Sequence, residues 1–179
     1  LAAHVGLSES YDELVETNVD LVEMLYEAAM IAGVKHFVHF GTGTIYEPAR
    51  GVLDEESPLE LSNAYEETKL ESEQRLRDIA DDDTPWTILR PAFVYGPHTS
   101  SMSAGLVTIP PILRNFLPFL PGFTGGARAN WAHVEDVAAA AMSVLGNPRA
   151  FGRIFNVADQ RALGAGEVLT AITEAYRLP

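Results

Sequence analysis

Tyr65 and Lys69 stand four residues apart in the stretch Asn63-Ala64-Tyr65-Glu66-Glu67-Thr68-Lys69. In a helix that spacing puts both side chains on one face. A free phenol titrates near pKa ~10. A neighbouring ammonium stabilises the phenolate and pulls that value down, so the oxygen can trade a proton near neutral pH. Such a phenol suits a carbonyl/alcohol interconversion, in which one proton moves as a hydride leaves or arrives. The plain alternative is an amphipathic helix carrying an i,i+4 polar pair. With two lysines and six tyrosines in the chain, the pairing is uncommon by chance but needs its context to carry weight. Glu66 and Glu67 fall off the Tyr65/Lys69 face. They are expected in solvent, because a carboxylate beside Tyr65 would raise its pKa.

The helix bearing this pair can be capped by Ser62 or Asn63 and is expected to run to about Ala80, before Asp81-Asp82-Asp83. Ahead of it, Val34 to Phe40 is short, β-branched and aromatic after a glycine, which reads as a strand. Gly41-Thr42-Gly43-Thr44-Ile45-Tyr46 follows that strand. It is not a dinucleotide fingerprint, because Tyr46 stands where the third glycine belongs and Pro48 with an acidic loop replaces the helix. The better reading is a loop presenting the hydroxyls of Thr42 and Thr44 at the carboxyl edge of a sheet, where open α/β sheets bind ligands.

Other elements frame this edge. Ser10 and Glu13 have capping-box spacing, and apolar residues from Leu14 to Ala32 keep helical periodicity up to Gly33. Spacing alone makes Asn18, inside this helix, a solvated or backbone-bonded polar residue. Thr87 to Leu89 with Trp86 reads as a strand, and Arg90 to Pro97 as a loop leaving the sheet edge, since Pro91 cannot donate to a ladder. Four prolines between Pro110 and Pro121 leave room for one short helix in a lid-like or substrate-side segment. Trp131 to Val134 is strand-like; Glu135 and Asp136 open a helix to about Leu145; Arg153 to Val157 is a strand; Gly166 to Arg177 is a final helix. Strand and helix alternate, which favours an α/β parallel sheet.

Composition narrows the possibilities. A net charge of −13 argues against nucleic acid and anionic membranes as partners. Ten arginines against two lysines, on an acidic chain, fit a salt-rich habitat or GC-rich coding. There is no cysteine, which excludes disulfides, thiolate zinc sites and a cysteine nucleophile. His36 and His39 fall on opposite faces of a strand, and His4, His98 and His133 complete no ligand set, so no metal is expected. No stretch reaches the ~20 apolar residues of a bilayer span, and no signal peptide is visible. A cytoplasmic protein without membrane insertion is the expectation. The start at Leu1-Ala2-Ala3 and the stop just after a helix read as the ends of a fragment.

Taken in order, these stretches resemble the extended short-chain dehydrogenase/reductase superfamily, the group of NAD(P)-dependent epimerases, dehydratases and related reductases. The resemblance rests on Leu1-Ala2-Ala3, Thr17-Asn18-Val19, Phe40 to Tyr46, Tyr65-x-x-x-Lys69, Leu89-Arg-Pro-Ala-Phe-Val-Tyr-Gly-Pro97 and Trp131-Ala-His-Val-Glu-Asp-Val137. It implies a Rossmann-like, doubly wound parallel sheet, present in part, with part of a small C-terminal substrate-binding region. The expected boundaries are 1–97 for the second half of the cofactor domain and 98–179 for the substrate side.

By that resemblance Tyr65 is the acid/base, Lys69 lowers its pKa and holds the nicotinamide ribose, Thr42 bonds the substrate oxygen, and Asn18 anchors the active-site helix or a relay water. Ala2, Ala3 and Phe40, Gly41 and Thr42 would line the cofactor, NAD or NADP, with Pro91, Ala92, Phe93 and Val94 near the nicotinamide. Homodimerisation through the helices bearing Asn18 and Tyr65 is also implied. The family's Gly-rich turn and the residue choosing between NAD and NADP would lie before Leu1, so this chain alone is expected to bind dinucleotide poorly and to be inactive. Nucleotide-sugar members often place an Arg where this chain has Ala129, with Arg128 one step away. The leading expectation is therefore net oxidation or reduction of a small-molecule alcohol or carbonyl. A redox-neutral nucleotide-sugar epimerase or dehydratase and a non-catalytic dinucleotide sensor are the alternatives.

Overall fold

A computed structural model describes residues 10–47, 52–96 and 128–164, together with Glu167, Val168, Thr170, Ala171 and Glu174. The chain divides into two compact units: Leu1–Pro91 with Ala138–Val157, and Ala92–Val137 with Ala158–Pro179. The division is discontinuous, unlike the single break after residue 97 expected from sequence. Its cause is strand pairing, since residues 153–157 return to the first unit to extend its sheet.

In the first unit, helix α1 (Tyr11–Val15) passes through a π-helical turn, Glu16–Asp20, into α2 (Leu21–Ile31). The start is fixed by Glu13, whose carboxylate accepts from the Ser10 backbone N–H at 2.7 Å and hydroxyl at 3.0 Å. The end is a Schellman turn. Gly33, at φ +65°, donates to the Met30 carbonyl, and Val34 donates to that of Ala29. Strand β1 (Phe37–Phe40) follows, then a short 3-10 turn at Gly43–Ile45, and α3 (Ala64–Ile79), capped by Asn63 accepting from the Glu66 N–H at 3.0 Å. Strand β2 (Trp86–Pro91) pairs in parallel with β1 on one side. On its other side it pairs in parallel with the strand Arg153–Val157, giving a three-stranded parallel sheet.

Side chains alternate across this sheet, as a period of two requires. Phe37, Trp86, Ile88 and Ile154 pack with Tyr26, Met30, Leu76 and Ile79 of α2 and α3. Val38, Phe40, Leu89, Phe155 and Val157 pack with Ala140, Ala141, Val144 and Ala150. Both faces are therefore covered by helix, which is why the strands are apolar on both sides and the sheet is parallel.

The second unit contains β3 (Phe93–Tyr95), β4 (Arg128–Ala129), β5 (Trp131–His133) and β7 (Leu163–Gly164), with α4 (Val134–Val144) beginning in it; Arg153–Val157, in the first unit, is β6. β3 pairs in parallel with β5, and β4 pairs antiparallel with β7. Phe93 to Tyr95 is thus a strand, whereas sequence suggested a loop. Pro91 closes β2, but two residues later the chain finds a new partner in β5. The proline-rich stretch 98–126 lies outside the described residues. Of the expected final helix, the five described residues are helical.

Candidate active site

Tyr65, Lys69 and Thr42 all belong to the first unit. Tyr65 and Lys69 share the sheet-facing side of α3, Tyr65 half-buried and Lys69 only 3% exposed. Thr42 lies two residues past the carboxyl end of β1, where it caps the 3-10 turn. Its hydroxyl accepts from the Thr44 N–H at 3.3 Å and contacts the Thr44 hydroxyl at 3.0 Å. The buried Thr42 side chain also acts on the Tyr65 phenol, in the direction that lowers its pKa.

Asn18 is fully buried, contrary to the solvated reading of its spacing. It sits in the π-helical turn and donates to the Thr68 hydroxyl at 3.2 Å, which in turn donates to the Tyr65 carbonyl at 3.1 Å. The π turn thus hands an amide to the residue between Tyr65 and Lys69, and single-turn π segments often mark such sites.

Burial moves the two titratable partners in opposite directions. It raises the Tyr65 phenol above its usual range; the Thr42 hydrogen bond works to lower it, and Glu66 raises it further. Two expectations are corrected here. The phenol is not depressed in this structure, because lost hydration outweighs the Thr42 hydrogen bond and the Lys69 ammonium is not among the groups shifting it. Glu66 is not in solvent: it is 7% exposed, with its carboxylate turned back to accept from the Ser62 N–H at 2.7 Å. Lys69 is pushed down to about 8, first by burial, with Glu73 pulling it back up. His39, under the same helix, is held neutral with a pKa pushed down to about 3 by burial and then by Lys69, while its Nε2 meets the Ser72 hydroxyl at 3.0 Å.

Sequence reasoning missed the layer beneath. Glu73, one turn beyond Lys69, is fully buried and held by Arg90, whose Nε lies 3.1 Å from each carboxylate oxygen and whose Nη2 lies 2.7 Å from Oε2. Arg90 Nη1 donates to the Tyr46 hydroxyl at 2.7 Å, and that hydroxyl donates to Asn156 Oδ1 at 2.8 Å. The available signal was the i, i+4, i+8 series Tyr65, Lys69, Glu73, which puts three polar groups on a face that must be buried.

The cofactor-lining residues divide. Phe40, Gly41 and Thr42 are with the pair in the first unit, and Pro91 closes β2 there. Ala92, Phe93 and Val94 belong to the second unit, where Phe93 and Val94 pair with Trp131 and Ala132. Ala2 and Ala3 lie outside the described residues. Among the described residues no group of histidines and carboxylates could hold a metal, and no helix is long and apolar enough to cross a membrane.

A helix-covered parallel sheet, with a phenol, an ammonium and a hydroxyl at its carboxyl edge, is a Rossmann-like nucleotide-binding architecture. The chain belongs to the NAD dependent epimerase/dehydratase family, whose sequence model matches residues 1–158. A UDP-glucose 4-epimerase from Mycolicibacterium smegmatis is 30% identical over 190 residues, covering 100% of this chain and 59% of the relative. The low-salt glycan biosynthesis protein Agl12 of Haloferax volcanii is 27% identical over 169 residues, covering 92% and 53%. Among solved structures, the UDP-glucose 4-epimerase of Thermus thermophilus in complex with NAD superposes with a TM-score of 0.81 at 26% identity, over 99% of this chain and 61% of that one. MoeE5 in complex with UDP-glucose and NAD gives 0.77 at 25% identity, with the same coverage of 99% and 61%. The chain therefore spans a little over half the length of these proteins.

The residues present fit part of an NAD site. Lys69 is 3% exposed, and Glu73 is the charged group acting on its amine. The three N–H donors of an ammonium suit a polyhydroxylated ligand such as a ribose.

Proposed function

We propose that this chain carries the proton-transfer half of an NAD-dependent enzyme that oxidises and re-reduces a sugar carbon of a nucleotide sugar, with no net redox change. Tyr65 is the acid/base, exchanging a proton with the sugar hydroxyl as it becomes a carbonyl and back. Thr42 bonds the same oxygen and favours the ionised phenol. Lys69 and Tyr65 hold ribose hydroxyls of NAD, and Asn18 keeps the helix turn between them in place through Thr68. NAD supplies the hydride acceptor when bound. The observation that carries this reading is the placement of the half-buried Tyr65 phenol one helical turn from the buried Lys69, with Thr42 the group that lowers the phenol's pKa. The nucleotide-sugar class is supported by the relatives' names and by the NAD and UDP-glucose bound in the neighbouring structures.

The test is made on the complete protein. Incubation with NAD and UDP-glucose should give an epimerised or dehydrated sugar without accumulating NADH. Tyr65→Phe should keep the fold and NAD binding while losing most turnover, since it removes only the proton-transfer atom. A fully active phenylalanine variant would refute the assignment.

A second reading, net reduction of a carbonyl or similar substrate, is favoured by Arg128. Its guanidinium donates to the Ala162 carbonyl at 3.2 and 2.6 Å and pairs with Glu167 at 2.9 Å, so it is already engaged instead of being free for a diphosphate. An NAD(P)H azoreductase from Xenophilus azovorans is 26% identical over 166 residues, covering 93% of this chain and 50% of that protein. Steady consumption of NAD(P)H with a carbonyl or azo substrate would select this reading.

A further inference from the structure

We propose that the Glu73–Arg90 ion pair is a positioning device beneath the site, seating the Gly41–Thr42 strand end and supplying the counter-charge for Lys69. Its consequence for turnover rests on the function proposed above; the device itself does not.

A buried carboxylate demands a partner. Glu73 is fully buried and would be strongly destabilising if unpaired. Arg90, 4% exposed, answers it with bonds to both oxygens and is itself fixed by the Tyr46 hydroxyl, over whose ring it lies 5.4 Å from the centroid. Tyr46 is in turn held by Asn156 at the end of β6. The carboxylate therefore has little freedom to move. A Cβ placed on Gly41 would come within 2.0 Å of Glu73 Oε1 and 3.3 Å of Arg90 Cγ. The backbone thus passes directly over the pair, one residue before Thr42. The segment from Gly41 to Tyr46 rests on this pair at both ends, at Gly41 by contact and at Tyr46 by a hydrogen bond. Thr42 hangs between those two supports.

The same carboxylate faces Lys69 along α3. The charged and titratable groups that act with that amine are Glu73 on its own helix and His39 on β1, while Arg90 on β2 pairs with Glu73. His39 is neutral across the physiological range. Glu73 is the group holding the lysine's charge against burial. Without it, nothing would offset the burial of Lys69, which would give up its proton more readily.

The complete protein is made with 13C,15N-lysine, the Lys69 signals are identified by their loss in Lys69→Arg, and the Lys69 side-chain shifts are followed against pH. Glu73→Gln should lower the Lys69 midpoint by ~1 unit or more, a tenfold change in proton affinity. Because that variant strands the Arg90 charge, Glu73→Gln/Arg90→Gln is titrated beside it, with far-UV circular dichroism reporting the fold. A folded variant whose Lys69 midpoint stays within ~0.3 units of the parent overturns the counter-charge role. Failure of both variants to fold assigns the pair to the core and overturns the positioning role. Neither result depends on turnover, so an active Tyr65→Phe enzyme would sink the proposed chemistry while leaving this inference standing.

Discussion

Gly41→Ala is the sharpest perturbation of this site, because a single methyl meets a charged group with nowhere to go. Gly41 is not among the glycines with positive φ, so the cost is one of space and not of backbone strain. The new Cβ would sit 2.0 Å from Glu73 Oε1, and ordinary contact begins at 3.4 Å. The carboxylate must therefore retreat by about 1.4 Å, which Arg90 opposes with bonds of 3.1, 3.1 and 2.7 Å. Losing one charge-assisted bond costs about 1.5–3 kcal/mol. Strain from overfilling a packed site adds about 1–3 kcal/mol, while the stiffer unfolded chain returns about 0.4–1 kcal/mol. The net is a destabilisation of about 3 kcal/mol, a large share of a typical ~5–15 kcal/mol stability. Urea unfolding followed by circular dichroism reads it as a lower midpoint at unchanged slope. Gly33→Ala is the control. Nothing lies within 4 Å of its Cβ, and its φ of +65° predicts a cost of only ~1–2 kcal/mol. In a Glu73→Ala/Arg90→Met background the Gly41→Ala cost should fall below ~1 kcal/mol, because the clash and the broken bonds are both gone. A Gly41→Ala loss under ~1 kcal/mol in the parent, or an undiminished loss in that background, would refute the reasoning.

Acid should weaken the fold through its buried histidines. His36 and His39 both have folded pKa values below the unfolded ~6.5. The unfolded chain therefore binds protons first, and stability present above pH ~6.5 is lost as pH falls toward the folded values. For His39, at about 3, moving from pH ~7.5 to ~5.5 costs about 1.4 kcal/mol. His39→Gln should remove that part of the acid sensitivity in urea melts at the two pH values, and an unchanged difference would count against it. The implied homodimer makes a separate prediction. Met24 (64% exposed), Leu25 (47%) and Ile31 (90%) leave an apolar face on α2, so light scattering should find a dimer at micromolar concentration that Met24→Glu/Ile31→Glu disrupts. A monomer throughout would remove α2 from that role.

The features legible in the sequence were those decided by neighbours in the chain. The Asn63 cap, the Gly33 stop and the strand Arg153–Val157 follow from capping chemistry, positive φ and β-branched composition. What escaped was decided by partners far along the chain. Asn18 reads as a solvent residue until Thr68, fifty positions later, takes its amide inside a π turn. Phe93 to Tyr95 becomes a strand because Trp131 to His133 is there to pair with it. Glu66 was assigned to solvent by helical angle alone, but the Ser62 N–H offered its carboxylate a local partner and kept it inside. At the site, the Tyr65/Lys69 face was readable from spacing, whereas the ion pair under it required knowing that Arg90 on β2 lies opposite Glu73.

That last point changes how the pair itself must work. Four-residue spacing suggests a phenol acidified by its lysine, but burial drives the two apart: the phenol holds its proton more tightly and the lysine less. Left alone, such a pair would drift toward neutral phenol and neutral amine, the wrong state for the proton transfer and ribose binding proposed above. The structure opposes the drift on each side with a different group. Thr42 favours the phenolate, and Glu73 favours the ammonium. Both depend on the one ion pair: Thr42 follows the residue that rests on it, and Glu73 is half of it. The chemistry proposed for Tyr-x-x-x-Lys would therefore be a property of five residues, Thr42, Tyr65, Lys69, Glu73 and Arg90. A protein keeping the first three while losing the last two would keep the motif without the protonation states that make it useful.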